Sequence, residues 1–159
     1  MNLPRNPLRF NVGFLLNQSI GSYRDIHFDF PVVLLKPDLT LENFTGVARV
    51  GRTPQGILVQ GEFQGDASAE CVRCLTDFDQ PLHAAFEELY AFDKRSVTES
   101  GLILPEDATI DLETLVREYL LIEMPINPIC MSDCKGLCPI CGNNLNEESG
   151  EHQHIEENT

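Results

Sequence analysis

Six cysteines set in short-spaced pairs constrain this chain more than any other feature: Cys71 with Cys74, Cys130 with Cys134, and Cys138 with Cys141. Two thiolates a few residues apart can turn on one ion, and tetrahedral zinc takes four such donors. Because the first pair lies far upstream of the others, a shared ion would tie the C-terminal stretch to a turn in the middle of the chain. Cys138-Pro139-Ile140-Cys141-Gly142 is the strongest of the three sequences. Proline stiffens its turn, and glycine lets the backbone curl until amides face the sulfurs. His152 and His154 add two nitrogen donors, so six cysteines and two histidines supply what two closed structural zinc sites require. The preferred grouping places Cys71, Cys74, Cys130 and Cys134 around one ion and Cys138, Cys141, His152 and His154 around the other. A rival grouping joins Cys71 and Cys74 to Cys138 and Cys141. For the two histidines, plain solvation in an acidic tail is the competing expectation.

At 159 residues, one core with a small appendage is expected, and a hydrophobic share of 42% is enough to build it. Acidic residues number 25 against 11 basic ones, a formal charge of -14, so phosphate backbones are repelled unless the few cations cluster. Direct binding to naked RNA is therefore disfavoured. Pro4 and Pro7 interrupt what would be the apolar segment of a secretory signal, and Phe14-Leu15-Leu16 is too short to span a bilayer. A cytoplasmic, reducing location with no membrane association is expected, in which paired thiols serve as metal ligands more often than as disulfides.

Most of the first ninety residues have strand patterning. Short apolar runs stand at Phe10–Leu16 and Ile26–Phe30, with Pro31 and Pro37 read as breaks. From Phe44 to Val50 and from Ile57 to Phe63, apolar residues recur at every second position across a glycine- and proline-containing loop, which predicts a hairpin. Asp77 to Phe92 reads as one long strand with Phe78, Leu82, Ala84, Phe86, Tyr90 and Phe92 on one face, although Ala84–Leu89 also fits a helix. A loop follows to Asp107. A helix over 111–124 is capped by Asp111, with Leu112, Leu115, Val116, Tyr119, Leu120 and Ile122 forming an apolar stripe for the sheet. The fold expected is α+β: a mostly antiparallel sheet or partly open barrel packed by one main helix, with a Cys/His-rich zinc-binding C-terminal segment. It divides into a β domain over 1–128, a zinc segment over 129–155 docked on it, and a disordered acidic tail over 156–159.

No glycine-rich phosphate loop appears, and the pairs Glu87-Glu88 and Glu147-Glu148 lack an adjacent nucleophile and base. Neither catalysis nor a small-molecule substrate is expected. Two rival chemistries remain in view. Cys71 and Cys74 could form a redox dithiol. Cys134, Cys138 and Cys141 match the spacing with which radical enzymes hold an iron-sulfur cluster, although the scaffold such enzymes need does not follow.

Several motifs then resemble those of one family in order along the chain. They are Cys71-Val72-Arg73-Cys74-Leu75, Ile110-Asp111-Leu112, Met124-Pro125-Ile126-Asn127-Pro128, the run from Cys134 to Gly142, and Asn144-Leu145-Asn146. The family is YceD, the large ribosomal RNA subunit accumulation proteins. Many of its members end with a Cys-x-Cys pair where this chain has His152-Gln153-His154, so the resemblance implies nitrogen ligation at the same place. It further implies a non-enzymatic role in 23S rRNA accumulation and large-subunit biogenesis. With the acidic surface, a basic ribosomal protein or a protein-covered ribosomal precursor is the partner expected. Direct RNA contact through Arg73 and Lys135 is the alternative.

Overall fold

In the computed structural model, which describes residues 5–147, alternating apolar and polar positions become long strands. In chain order the elements are β1 (Arg9–Asn11), α1 (Gly13–Leu16), β2 (Tyr23–Leu35), β3 (Leu39–Arg52), β4 (Gly56–Glu70), β5 (Asp77–Ala91), β6 (Thr109–Asp111) and α2 (Glu113–Glu123). One sheet runs β2-β3-β4-β5 and a second pairs β1 with β6. The β2–β3 and β3–β4 pairs are antiparallel, with Val50 opposite Val59 in the expected hairpin. The fold is α+β, and neither sheet closes into a barrel.

Two compact units share the chain. The first comprises residues up to Ala67 together with Pro81–Met124, and the second comprises Ser68–Gln80 with the chain from Pro125 onward. The division thus follows proximity in space rather than chain order, because the tip of the β4–β5 hairpin belongs with the cysteine-rich segment instead of with the sheet that carries it.

The first unit is organised around aromatic rings. Phe63 is fully buried and its ring centroid lies 5.7 Å from those of Phe28 and Phe44 and 6.0 Å from that of Phe86. Each such burial contributes roughly 2 kcal/mol. Phe86 stacks on Tyr119 of α2 at 4.9 Å, which seats the helix. Along β5 the even positions Leu82, Ala84, Phe86, Glu88 and Tyr90 are buried, so strand rather than helical spacing holds over Ala84–Leu89.

Four local expectations are corrected. The run Phe10–Leu16 is not one strand: after β1, the Asn11 side chain accepts the Gly13 amide at 2.8 Å and the chain turns into α1. Pro31 does not break β2, because this is an edge strand of the sheet and can spare one amide. Asp111 belongs to β6 rather than to the helix, yet its carboxylate accepts the Glu113 amide at 2.9 Å and so still serves the helix start. Ile122 leaves the buried stripe of α2 and is 75% exposed, while Val116 and Leu120 are buried.

Candidate metal centre

The turn between β4 and β5 carries Cys71-Val72-Arg73-Cys74. The Leu75 amide donates to the Cys71 carbonyl at 2.9 Å, and Leu75 adopts a left-handed φ of 60°. Cys138–Gly142 repeats this geometry, with the Gly142 amide donating to the Cys138 carbonyl at 2.9 Å and a φ of 77° at Gly142. The two cysteine turns are therefore the same backbone device, once with leucine where glycine carries no steric cost.

Pro125 ends α2, and the returning segment lays Pro128 against the first turn, where its carbonyl accepts the Val72 amide at 2.9 Å. This brings Cys130 and Cys134 to Cys71 and Cys74. All four sulfurs lie within 4.8 Å of one another. The Cys71–Cys134 and Cys74–Cys130 separations are both 3.7 Å. A tetrahedron with metal–sulfur bonds of about 2.3 Å has edges of about 3.8 Å, so the donors fit a single four-coordinate ion. A disulfide would need sulfurs about 2 Å apart. Cys71, Cys74 and Cys134 are buried, with Phe78, Ile129 and Leu137 packed around them.

Thiol electrostatics suit a cation. Burial works against the Cys71 thiolate, but amides of Cys74, Cys130 and Arg73 outweigh it and bring its pKa down to about 6. The Thr76 side chain and amide lower that of Cys74. Cys130 goes the other way: burial, joined by the neighbouring sulfurs, pushes it up to about 12. The set thus combines a thiol whose ionisation is favoured, Cys71, with one whose ionisation is resisted, Cys130, and a bound ion would displace the Cys130 proton.

The preferred first set, Cys71, Cys74, Cys130 and Cys134, is the group that the fold assembles, and the rival set with Cys138 and Cys141 is not. Cys138 is buried and Cys141 exposed, both outside that group. Since Cys134 belongs to the four-sulfur group, the trio Cys134, Cys138 and Cys141 is not gathered as a cluster-binding set. His152 and His154 lie outside the described residues, so the second expected site rests on sequence alone.

Of the residues that support these ligands, Arg73 stands beside the cysteines by its sequence position alone, whereas the roles of Asn144 and Asn146 do not follow from the cysteine spacing. Asn146 donates from Nδ2 to Cys134 Sγ at 3.3 Å and accepts the Lys135 amide at 2.9 Å, while the Asn144 side chain accepts the Asn146 amide at 3.0 Å. Arg73 donates to the Cys134 carbonyl at 3.1 Å, and its own carbonyl accepts the Leu137 amide. The signal was legible in Asn144-Leu145-Asn146, since closely spaced asparagines favour side-chain-to-backbone turns.

A sheet whose hairpin tip shares four cysteines with a returning C-terminal segment defines a metal-competent α+β protein with a ligand set closed by its own chain. The chain belongs to the YceD family: the family profile described as Large ribosomal RNA subunit accumulation protein YceD matches residues 59–159. An uncharacterized protein of Mycobacterium tuberculosis is 36% identical over 112 residues, covering 67% of this chain and 53% of the relative. YlbN of Bacillus subtilis is 30% identical over 94 residues, 56% of this chain and 55% of that protein. A chloroplastic protein of Arabidopsis thaliana, named Large ribosomal RNA subunit accumulation protein YCED homolog 1, is 44% identical over 43 residues, 27% of this chain and 13% of that one. The chain spans about half the length of the bacterial relatives it matches. No solved structure matches it significantly. Among the described residues no helix is long and apolar enough to cross a membrane.

Proposed function

We propose that this chain is a non-enzymatic cytoplasmic factor supporting accumulation of 23S rRNA and biogenesis of the large ribosomal subunit. It carries structural zinc at Cys71, Cys74, Cys130 and Cys134 and works by binding a basic protein or a protein-covered ribosomal precursor. Family membership supplies the process. One observation supports a structural role for that metal: four thiols lie within 4.8 Å of one another and suffice for a closed four-coordinate site, which would leave no position for a substrate.

Charge favours a protein partner over naked RNA. Against the formal charge of -14, several of the few cations are engaged within the fold: Arg49 with Asp25 at 2.8 Å, Arg117 with Asp38 at 2.6 Å, and Arg73 with the Cys134 carbonyl. A basic protein would meet an acidic surface with few competing cations. Depletion of the chain should lower 23S relative to 16S rRNA, and tagged chain should retain a basic protein partner at low salt and release it at high salt. Tight, salt-resistant binding to bare RNA with no protein partner would overturn this function.

A further inference from the structure

The departure of Ile122 from the buried stripe of α2 marks a cavity. Within the first unit, a cavity of about 510 Å³ is lined by Glu88, Tyr90, Asp111, Glu118, Tyr119 and Ile122 among others, three carboxylates with no lysine or arginine. Arg117, next in sequence to Glu118, is turned to Asp38. Glu88 is only 9% exposed, and its carboxylate accepts hydrogen bonds from the Tyr119 hydroxyl at 2.8 Å and from the Ser100 hydroxyl. Both donors are neutral. The buried carboxylate is satisfied in hydrogen bonding, but no cation offsets its charge among the described residues.

We propose that this cavity receives an arginine side chain of the basic protein partner. The assignment rests on the function proposed above and names the contact that would carry it. A metal ion is the wrong size: among the described residues, the four cysteines are the one set of three or more donors close enough to share an ion, so these carboxylates are spread more widely than a coordination sphere. A guanidinium on an apolar stem matches such a space, because its planar fork can reach separate carboxylates while its face lies on an aromatic ring. Tyr119 is held ready by its stack on Phe86. Exposed Leu121 and Ile122 offer apolar surface to residues flanking the arginine.

The test titrates the full chain with a blocked Leu-Arg-Leu tripeptide, its citrulline isostere and its lysine counterpart, reading backbone amide NMR shifts. Saturable shifts confined to the cavity are expected, with citrulline weakening binding about tenfold, as loss of a charge-assisted contact does. Lysine should bind more weakly than arginine. Glu118→Gln and Ile122→Ala, both at exposed positions, should each weaken the arginine peptide several-fold without altering thermal unfolding. Equal binding of the citrulline peptide, or shifts spread to sheet residues such as Asp25 and Glu62, would overturn the site, and equal binding of lysine would overturn its guanidinium preference. Co-sedimentation with large-subunit precursors separates the two levels. If the native chain and the Glu118→Gln/Ile122→Ala variant sediment alike with precursors, the cavity is not the contact although the function stands. If the native chain does not sediment with them but passes the peptide titration, the site stands and the function fails.

Discussion

Asn146 reaches back to Cys134, its Nδ2 standing 3.3 Å from the sulfur while its Oδ1 holds the Lys135 amide at 2.9 Å. The two contacts fix which end of the amide faces the sulfur. An N–H directed at a ligating sulfur spreads its negative charge and holds its orientation, so the residue supports the ligand from outside the donor set.

Replacing Asn146 with alanine should weaken retention of the metal proposed for the four-cysteine set by roughly tenfold, measured by competition with a chromophoric chelator. Asn146→Asp should do at least as much harm. It keeps an acceptor for Lys135 but loses the donor and sets a second negative charge beside the sulfur. Retention equal to the native chain in both variants would deny Asn146 this role.

Chelation should loosen the second unit selectively. Amides of Val72 and Leu137, whose partners are Pro128 and Arg73, are expected to lose hydrogen-exchange protection when metal is stripped, whereas Val50 and Val59 in the sheet keep theirs. The first unit has an apolar core of its own, so its protection is expected to persist without an ion. By the same logic Cys134→Ser should remove one equivalent of metal, while Cys141→Ser should leave the ion of the Cys71 group in place. Native mass spectrometry distinguishes these outcomes.

The parts of the fold with a strict period were legible in the sequence. Strand β5 shows one face of alternating apolar residues from Leu82 to Tyr90, and the structure buries that face. The first four-cysteine set was legible as the preferred of two groupings, because short spacing brings the two thiols of a pair to one point but does not dictate which pairs share an ion. Short elements were not. In Phe10–Leu16 the chain turns from β1 into α1 where the Asn11 side chain accepts the Gly13 amide, and no periodicity records such a contact. Glu88 was likewise hidden. It occupies an inward position of β5, where its neighbours Ser100 and Tyr119 come from distant parts of the chain and make a buried carboxylate tolerable.

Gly46 should not accept a side chain. A methyl group there would stand 2.2 Å from Phe63 Cδ1, and Phe63 is fully buried among Phe28, Phe44 and Phe86 and cannot yield. Gly→Ala at an unstrained site gains up to about 1 kcal/mol by restricting the unfolded chain. Here overpacking costs about 1–3 kcal/mol and wins. Urea unfolding of Gly46→Ala should therefore show a lower midpoint, and an unchanged or higher one would mean that the ring can move aside.

Tyr90 gives the sheet domain a pH dependence whose sign follows from its surroundings. Burial first, then the negative charges of Glu88 and Asp111, push its hydroxyl up to about 12, against an ordinary phenol value near 10. The folded state thus favours the protonated phenol. Its contribution to stability is fully present below pH 10 and is lost as pH rises from there through about 12, because only the unfolded chain can ionise freely in that interval. Ultraviolet phenolate absorbance should show Tyr90 titrating late, and the urea midpoint should fall over the same range. Glu88→Gln removes one of the two negative neighbours and should bring the titration down towards 10, without reaching it, since burial remains the larger cause. A Tyr90 that ionised near 10 in the native protein would mean that water reaches its hydroxyl and that the cavity wall is open at that point.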